Sequence, residues 1–324
     1  MTWVFIVLGG LTGLITVGTL LGGLWGYRMV LVRTKKDFED PAPDDPMNEH
    51  FIEATKAGRE YLFSLQPEDV QIKSRDGLTL RGWYIPAAKP TNKMIVFSHG
   101  FVIDGVTNFA CAIKGFHESF GWNILLPDHR SHGRSDGRYI GFSALEWQDL
   151  FDWCEAFKGR LGDDPLVALN GVSMGANVVL NLNAHNPPSY VKCVVADCPF
   201  TCGYEMITLS AKRDMHINYP PAFWAMAMWY RLFTGKSLRH DTDTYGMIGQ
   251  LKLPTLFVHG EADPFVPAEM GHRLYEAARV EKDCLFVDGA GHGFSYLVDP
   301  QAYTAKMEAF FGKYVVSEKE RASV

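Results

Sequence analysis

The apolar pattern changes character several times along the chain. Residues 2–27 form an apolar run without a single charged side chain. At 1.5 Å rise per residue, about 26 residues are long enough to cross a bilayer with some tilt. Trp3, Trp25 and Tyr27 stand near its ends, where interfacial aromatic rings collect. No Lys or Arg precedes Arg28, so the run lacks the basic start of a secretory leader. We read residues 1–27 as an uncleaved transmembrane anchor. Gly9-xxx-Gly13 and Gly18-xxx-Gly22 offer two faces for close helix pairing. Residues 40–46 (DPAPDDP) read as a juxtamembrane linker. Residues 48–64, with Phe51, Ile52, Ala54, Tyr61 and Leu62, have the spacing of an amphipathic helix. Linker and helix together occupy 28–66.

From residue 70 the period falls to two. Residues 70–73 and 78–85 alternate around the turn Arg75-Asp76-Gly77. Short, fully apolar runs follow at 94–98, 124–127, 166–170, 191–197, 256–259 and 285–287. Helical patterns separate most of them, at about 107–120, 143–160, 174–186, 266–279 and 300–317. This rhythm predicts an α/β fold: a mostly parallel sheet with helices on both faces. Its two parts are 67–200 and 251–318. Residues 201–250 interrupt the rhythm with a helical stretch carrying Phe223-Trp224-Ala225-Met226-Ala227-Met228-Trp229-Tyr230. An apolar aromatic insertion beside strand ends predicts a cap over a ligand site.

Composition narrows the function classes. The net charge of -6, with no long basic run, gives no footprint for nucleic acid. The six cysteines are scattered without a CxxC pair, and free thiols favour a reducing compartment. Arg28, Arg33, Lys35 and Lys36 all follow the apolar run, which by the positive-inside bias predicts a cytoplasmic body.

The chemistry is carried by Gly171-Val172-Ser173-Met174-Gly175, between a strand-like run and a helix-like one. A serine at such a strand-to-helix turn is lifted above the sheet, its oxygen beside a helix N-terminus. A serine hydroxyl needs a base to become a nucleophile. Asp263 and His292 follow at the ends of later strand-like runs, in the order serine, acid, histidine. Ser173 is thus the candidate nucleophile, His292 the base and Asp263 the orienting acid, with Asp197 as reserve acid. The backbone amides of Met174 and Phe101 are the candidate oxyanion donors. His99 reads as a loop-ordering residue. The two histidines of Asp128-His129-Arg130-Ser131-His132-Gly133-Arg134-Ser135 read as part of a hydrogen-bonded loop, and no metal ligand set is assigned.

Together, His99-Gly100, the 128–135 stretch, the Ser173 motif, His259-Gly260-Glu261-Ala262-Asp263 and Gly291-His292 resemble the α/β-hydrolase superfamily over about residues 67–317. They are most similar to bacterial single-span, esterase-like members related to serine aminopeptidases. The resemblance implies an eight-stranded sheet, a Ser-Asp-His triad and no cofactor. Family members usually carry Gly where Ser131 stands. The expected activity is carboxylic ester hydrolysis through an acyl-serine, on a substrate with an apolar acyl part. Amide or peptide hydrolysis and acyl transfer are alternatives within the fold. A membrane-tethered binding protein without catalysis is the alternative outside enzymology.

Overall fold

A computed structural model describes residues 2–33 and 46–317. The short apolar runs form one sheet: β1 (Glu68–Lys73), β2 (Thr79–Ile85), β3 (Lys93–Ser98), β4 (Asn123–Pro127), β5 (Leu166–Val172), β6 (Val191–Asp197), β7 (Thr255–Gly260) and β8 (Lys282–Val287). The strands lie in the order β1-β2-β4-β3-β5-β6-β7-β8. β2 runs antiparallel to β1 and β4, and every other pair is parallel. Every residue of the central β5 is buried, as expected for a parallel strand covered on both faces. The edge strand β1 has Val70 as its sole buried residue.

The helices are α1 (Thr2–Leu31), α2 (Pro46–Ser64), α3 (Gly105–Phe120), α4 (Glu146–Phe157), α5 (Met174–His185), α6 (Gly203–Asp214), α7 (Pro220–Thr234), α8 (Thr244–Met247), α9 (Ala268–Ala277), α10 (Ser295–Val298) and α11 (Pro300–Tyr314). Period-two alternation divides the core. On β3, Ile95 and Phe97 face α3 and α11 through Ile113, Phe116 and Phe310. Met94 and Val96 face α4 and α5 through Trp153 and Val179. Each such side chain contributes roughly 1.5–3 kcal/mol on burial. Two walls of comparable size therefore hold the sheet rigid beneath its loops.

The 201–250 stretch is helical, built from α6, α7 and α8 with a short 3-10 turn. It leaves and rejoins the core at a narrow neck, where Cys202 bridges Asp243. Asn177 of α5 braces that neck, donating to the Phe200 carbonyl and Thr244 Oγ1, both at 2.6 Å.

The N-terminal helix departs from expectation. It continues past residue 27 to Leu31, and its final turns belong to the folded body. Gly23, Tyr27 and Leu31 are buried, four residues apart on one face. Tyr27 stacks on Phe233 of α7 with ring centroids 5.2 Å apart. Trp229 Nε1 donates to the Leu20 carbonyl at 3.0 Å. The close helix approach occurs at Gly23, where a Cβ would overlap Ala225. The glycine pairs that offer faces for pairing make no close contact within this chain: a Cβ at Gly9, Gly13, Gly18 or Gly22 has no neighbour within 4 Å. The linker expected at 40–46 lies outside the described residues except for Pro46, which opens α2. Lys35, Lys36 and residue 318 lie outside them too.

Candidate active site

Ser173 sits between β5 and α5 with φ 57° and ψ −120°. This left-handed, strained conformation is the sort kept where neighbours over-determine it. The neighbours are visible. Its amide donates to the Asp197 carbonyl at 2.8 Å, and its carbonyl accepts from the Asn177 amide at 3.2 Å. A Cβ at Gly171 would overlap the Gly175 carbonyl, and one at Gly175 would overlap the Ser98 carbonyl. Both glycines are required by close backbone approach.

Two later strand ends bring the predicted partners to this turn. His292 Nε2 lies 3.0 Å from Ser173 Oγ. His292 Nδ1 lies 2.7 Å from Asp263 Oδ2. The other carboxylate oxygen, Oδ1, accepts from the amides of Phe265 and Val266, both at 2.8 Å. The Asp263 side chain is fully buried, whereas that of His292 is a quarter exposed. Burial alone would raise the Asp263 carboxyl. Hydrogen bonds from His259 and His292, and from the Val266 amide, outweigh it and hold the group well below the usual carboxylate range. Asp263 is a fixed negative charge behind a partly exposed imidazole.

His259, to which no role was assigned from sequence, stands directly beside this pair. Its Nε2 donates to the Val266 carbonyl at 3.0 Å and lies 3.5 Å from Asp263 Oδ2. The signal was its i, i+4 spacing to Asp263 across the end of β7. Glu261, by contrast, meets His272 at the surface, 3.0 Å away.

Asp197, the reserve acid, hydrogen-bonds Tyr303 Oη at 3.3 Å rather than His292. Its Oδ1 is buried without a partner. Burial pushes its carboxyl up to about 6, against the partial relief of the nearby histidines. A carboxyl raised on folding binds its proton more tightly in the native state. Stability therefore falls as pH rises from the unfolded value near 3.8 to the folded value near 6, and the penalty is complete above that. The difference is worth on the order of 3 kcal/mol. Asp197→Asn is expected to raise the melting temperature at pH 8 and to change it little at pH 4. Thermal denaturation at the two pH values checks this, and equal shifts at both would contradict it.

The loop after β3 runs directly beside the serine. A Cβ on Gly100 would lie 3.4 Å from Ser173 Cβ. The Gly100 amide is held by Asn108 Oδ1 at 2.7 Å. His99 Nδ1 donates to the Gly100 carbonyl, and His99 Nε2 accepts from the His129 amide, both at 2.8 Å. His99 thus ties this loop to the one after β4. The Phe101 backbone follows immediately, and Met174 contributes the first N–H of α5, which has no intrahelical acceptor.

The 128–135 loop is a buried polar network. His129 Nε2 meets Ser98 Oγ at 2.8 Å, and His132 Nδ1 donates to the Arg130 carbonyl at 2.9 Å. Burial lowers the His129 imidazole well below its ordinary value and pushes that of His132 down to about 3, so both are neutral. Arg130 forms a buried two-pronged pair with Asp149, at 2.6 and 2.7 Å. Ser131, where the family usually has Gly, adopts φ 64°. Its Oγ donates to the Tyr139 carbonyl at 2.9 Å, a compensation that glycine lacks.

One group of ligand-type atoms surrounds the site: Cys198, Asp263 and His292 each bring one within 4.8 Å of the others. Burial pushes the Cys198 thiol well above its ordinary value, so it is protonated and a poor metal donor. The Asp263 and His292 atoms are engaged with one another and with Ser173.

An almost wholly apolar cavity of about 450 Å³ opens onto Ser173. Phe101, Met206, Phe223 and Met226 are among its walls, so the α6–α7 insertion roofs the serine. Its far wall was not anticipated from sequence: Gly22, Trp25, Gly26, Met29 and Val30 of α1 line it.

Comparison with known proteins agrees with this architecture. A family model described as alpha/beta hydrolase fold matches residues 93–227. The chain is 25% identical to the uncharacterized protein YqkD of Bacillus subtilis over 94% of its own length and 96% of that protein. It is 26% identical to the rat lysophosphatidylserine lipase ABHD12, over 74% of this chain and 60% of the lipase. Among solved structures, the Pyrococcus furiosus esterase Pf2001 superposes with a TM-score of 0.64 at 21% identity, over 78% of this chain and 94% of that one. The chain has the α/β-hydrolase fold. Its relatives and structural neighbours include esterases and lipases, which supports hydrolase activity.

Proposed function

We propose that this protein is a membrane-anchored serine hydrolase that cleaves carboxylic esters with an apolar acyl chain. The observation that carries the reading is His292, bridging Ser173 Oγ at 3.0 Å and the buried Asp263 carboxylate at 2.7 Å. In the proposed cycle Ser173 Oγ attacks the acyl carbon while its proton passes to His292 Nε2. The tetrahedral oxyanion is met by the Met174 and Phe101 amides. Its collapse breaks the ester bond, and His292 returns the proton to the departing alkoxide. Water, deprotonated by His292, then releases the acid and restores the serine. Asp263 holds the Nδ1–H tautomer throughout and remains ionised. The apolar cavity favours the acyl part over a charged or peptidic one.

Two assays test the reading together: labelling of the native protein by a fluorophosphonate, and turnover of p-nitrophenyl esters. Labelling with turnover supports it, and the absence of both would sink it.

The helix α1 supports the membrane part of the proposal. It is the single helix among the described residues that is long and apolar enough to cross a bilayer. Arg28 and Arg33 on its C-terminal side favour a cytoplasmic body. A C-terminal tag should resist a membrane-impermeant protease in intact cells and be lost on lysis. Removal of the tag from intact cells would reverse the orientation.

A further inference from the structure

The helix α1 divides into two parts of different surroundings. Its 30 residues span about 45 Å. From Trp3 to Leu21 its large side chains, Leu20 apart, are more than half exposed: Trp3 is 79% accessible, Leu14 74% and Leu21 60%. This stretch of about 20 residues matches the roughly 30 Å hydrocarbon thickness of a bilayer. From Thr19 onward the helix docks on the body. Ile140 donates its amide to the Leu31 carbonyl at 2.9 Å, and Thr19 Oγ1 meets Tyr219 Oη at 3.0 Å. The exposed apolar stretch therefore runs straight into the helix segment that walls the cavity at Ser173.

The docked segment has two faces. One carries Gly23, Tyr27 and Leu31 and is packed tightly on α7 and the core. The other carries Gly22 and Gly26, one turn apart, and lines the cavity. A Cβ at Gly22 meets nothing within 4 Å, and a Cβ at Gly26 meets only Met226 Sδ, at 3.8 Å. Neither glycine is demanded by backbone conformation or close packing. Glycine in a helix interior is destabilising relative to almost any other residue. Both positions border the cavity that Ser173 also lines. Exposed Met215, Tyr219 and Trp224 of the insertion lie beside the junction, and Tyr219 is the residue that Thr19 of α1 contacts. That is an amphipathic collar suited to a membrane surface.

We propose that α1 is a wall of the acyl-binding site as well as an anchor, and that Gly22 and Gly26 set the length of chain it admits. The substrate class is a membrane-resident ester with a long acyl chain, drawn along α1 from the bilayer to Ser173. The proposal rests on the serine-hydrolase reading for its chemistry, but the cavity's binding of an alkyl chain can be measured without turnover.

The test uses the full-length protein in lipid nanodiscs, with Gly22→Leu and Gly26→Leu, and Gly9→Leu and Gly13→Leu as controls on the exposed part of α1. Leucine favours the helix more than glycine does, so the substitutions do not threaten α1 itself. The first readout is the ratio of kcat/KM for p-nitrophenyl palmitate to that for p-nitrophenyl butyrate. The cavity variants are expected to lower this ratio about tenfold or more, through a higher KM for the long ester. The controls keep the wild-type ratio. The second readout is binding of cis-parinaric acid, a fluorescent long-chain fatty acid, above that of empty nanodiscs. It is expected to weaken in the cavity variants and not in the controls. An unchanged ratio and unchanged binding in both cavity variants would overturn the proposal, as would equal losses in the controls. If the wild-type protein turns over no ester, the hydrolase reading fails by itself, and parinaric acid binding alone decides whether α1 walls an alkyl site.

Discussion

Ser173→Ala is expected to lower kcat/KM for a p-nitrophenyl ester by about four orders of magnitude or more. The substitution removes one hydroxyl from a residue that is only 7% exposed. The backbone at φ 57° is equally strained for alanine and serine, so the turn gains no relief and suffers no new clash. The Ser173 amide and carbonyl keep their bonds to Asp197 and Asn177. The melting temperature should therefore shift by a few degrees at most. Steady-state kinetics beside a thermal melt check both halves. Retention of a tenth of the wild-type rate in a folded variant would point to another nucleophile.

Asp263→Asn carries the second large expectation, a loss of about three to four orders of magnitude in kcat. The reason lies in the polarity of its neighbours. Oδ1 is fixed as an acceptor by the Phe265 and Val266 amides. An asparagine must keep its oxygen there, which puts its NH2 where Oδ2 stood, 2.7 Å from His292 Nδ1. Nδ1 then has to accept, the imidazole proton moves to Nε2, and the base facing Ser173 becomes a donor. The same variant has a pH signature. The folded-state Asp263 carboxyl is depressed, so its stabilisation is present above the unfolded value near 3.8 and is lost as pH falls through the folded one. Asp263→Asn should lack this contribution at neutral pH and show a weaker acid dependence of its melting temperature. The matching Asp197→Asn should stay within a few-fold of wild-type turnover. Loss of activity there instead would make Asp197 the orienting acid.

The sheet was readable because its strands are short apolar runs between Gly- and Pro-marked turns, a pattern few other elements imitate. Ser173, Asp263 and His292 were readable as candidates for a related reason. Each lies within a few residues of the end of such a run, and a parallel sheet brings the C-terminal ends of its strands together. The last turns of α1 were not. An apolar side chain facing lipid and one facing a protein wall leave the same mark in a sequence. Gly22 and Gly23 are adjacent and identical in type, yet one borders a cavity and the other touches Ala225. Only the angular position around a docked helix separates them. Arg130 and Asp149 pair across 19 residues, and Ser131 takes a left-handed φ, for reasons equally invisible before the loops are folded.

The measurement closest to the central claim is the mass spectrum of the native protein after reaction with a fluorophosphonate, followed by peptide mapping. The account predicts one adduct, on the peptide containing Ser173, that is absent in Ser173→Ala and slowed by orders of magnitude in Asp263→Asn. No adduct, or an adduct on another residue of the wild-type protein, would contradict it.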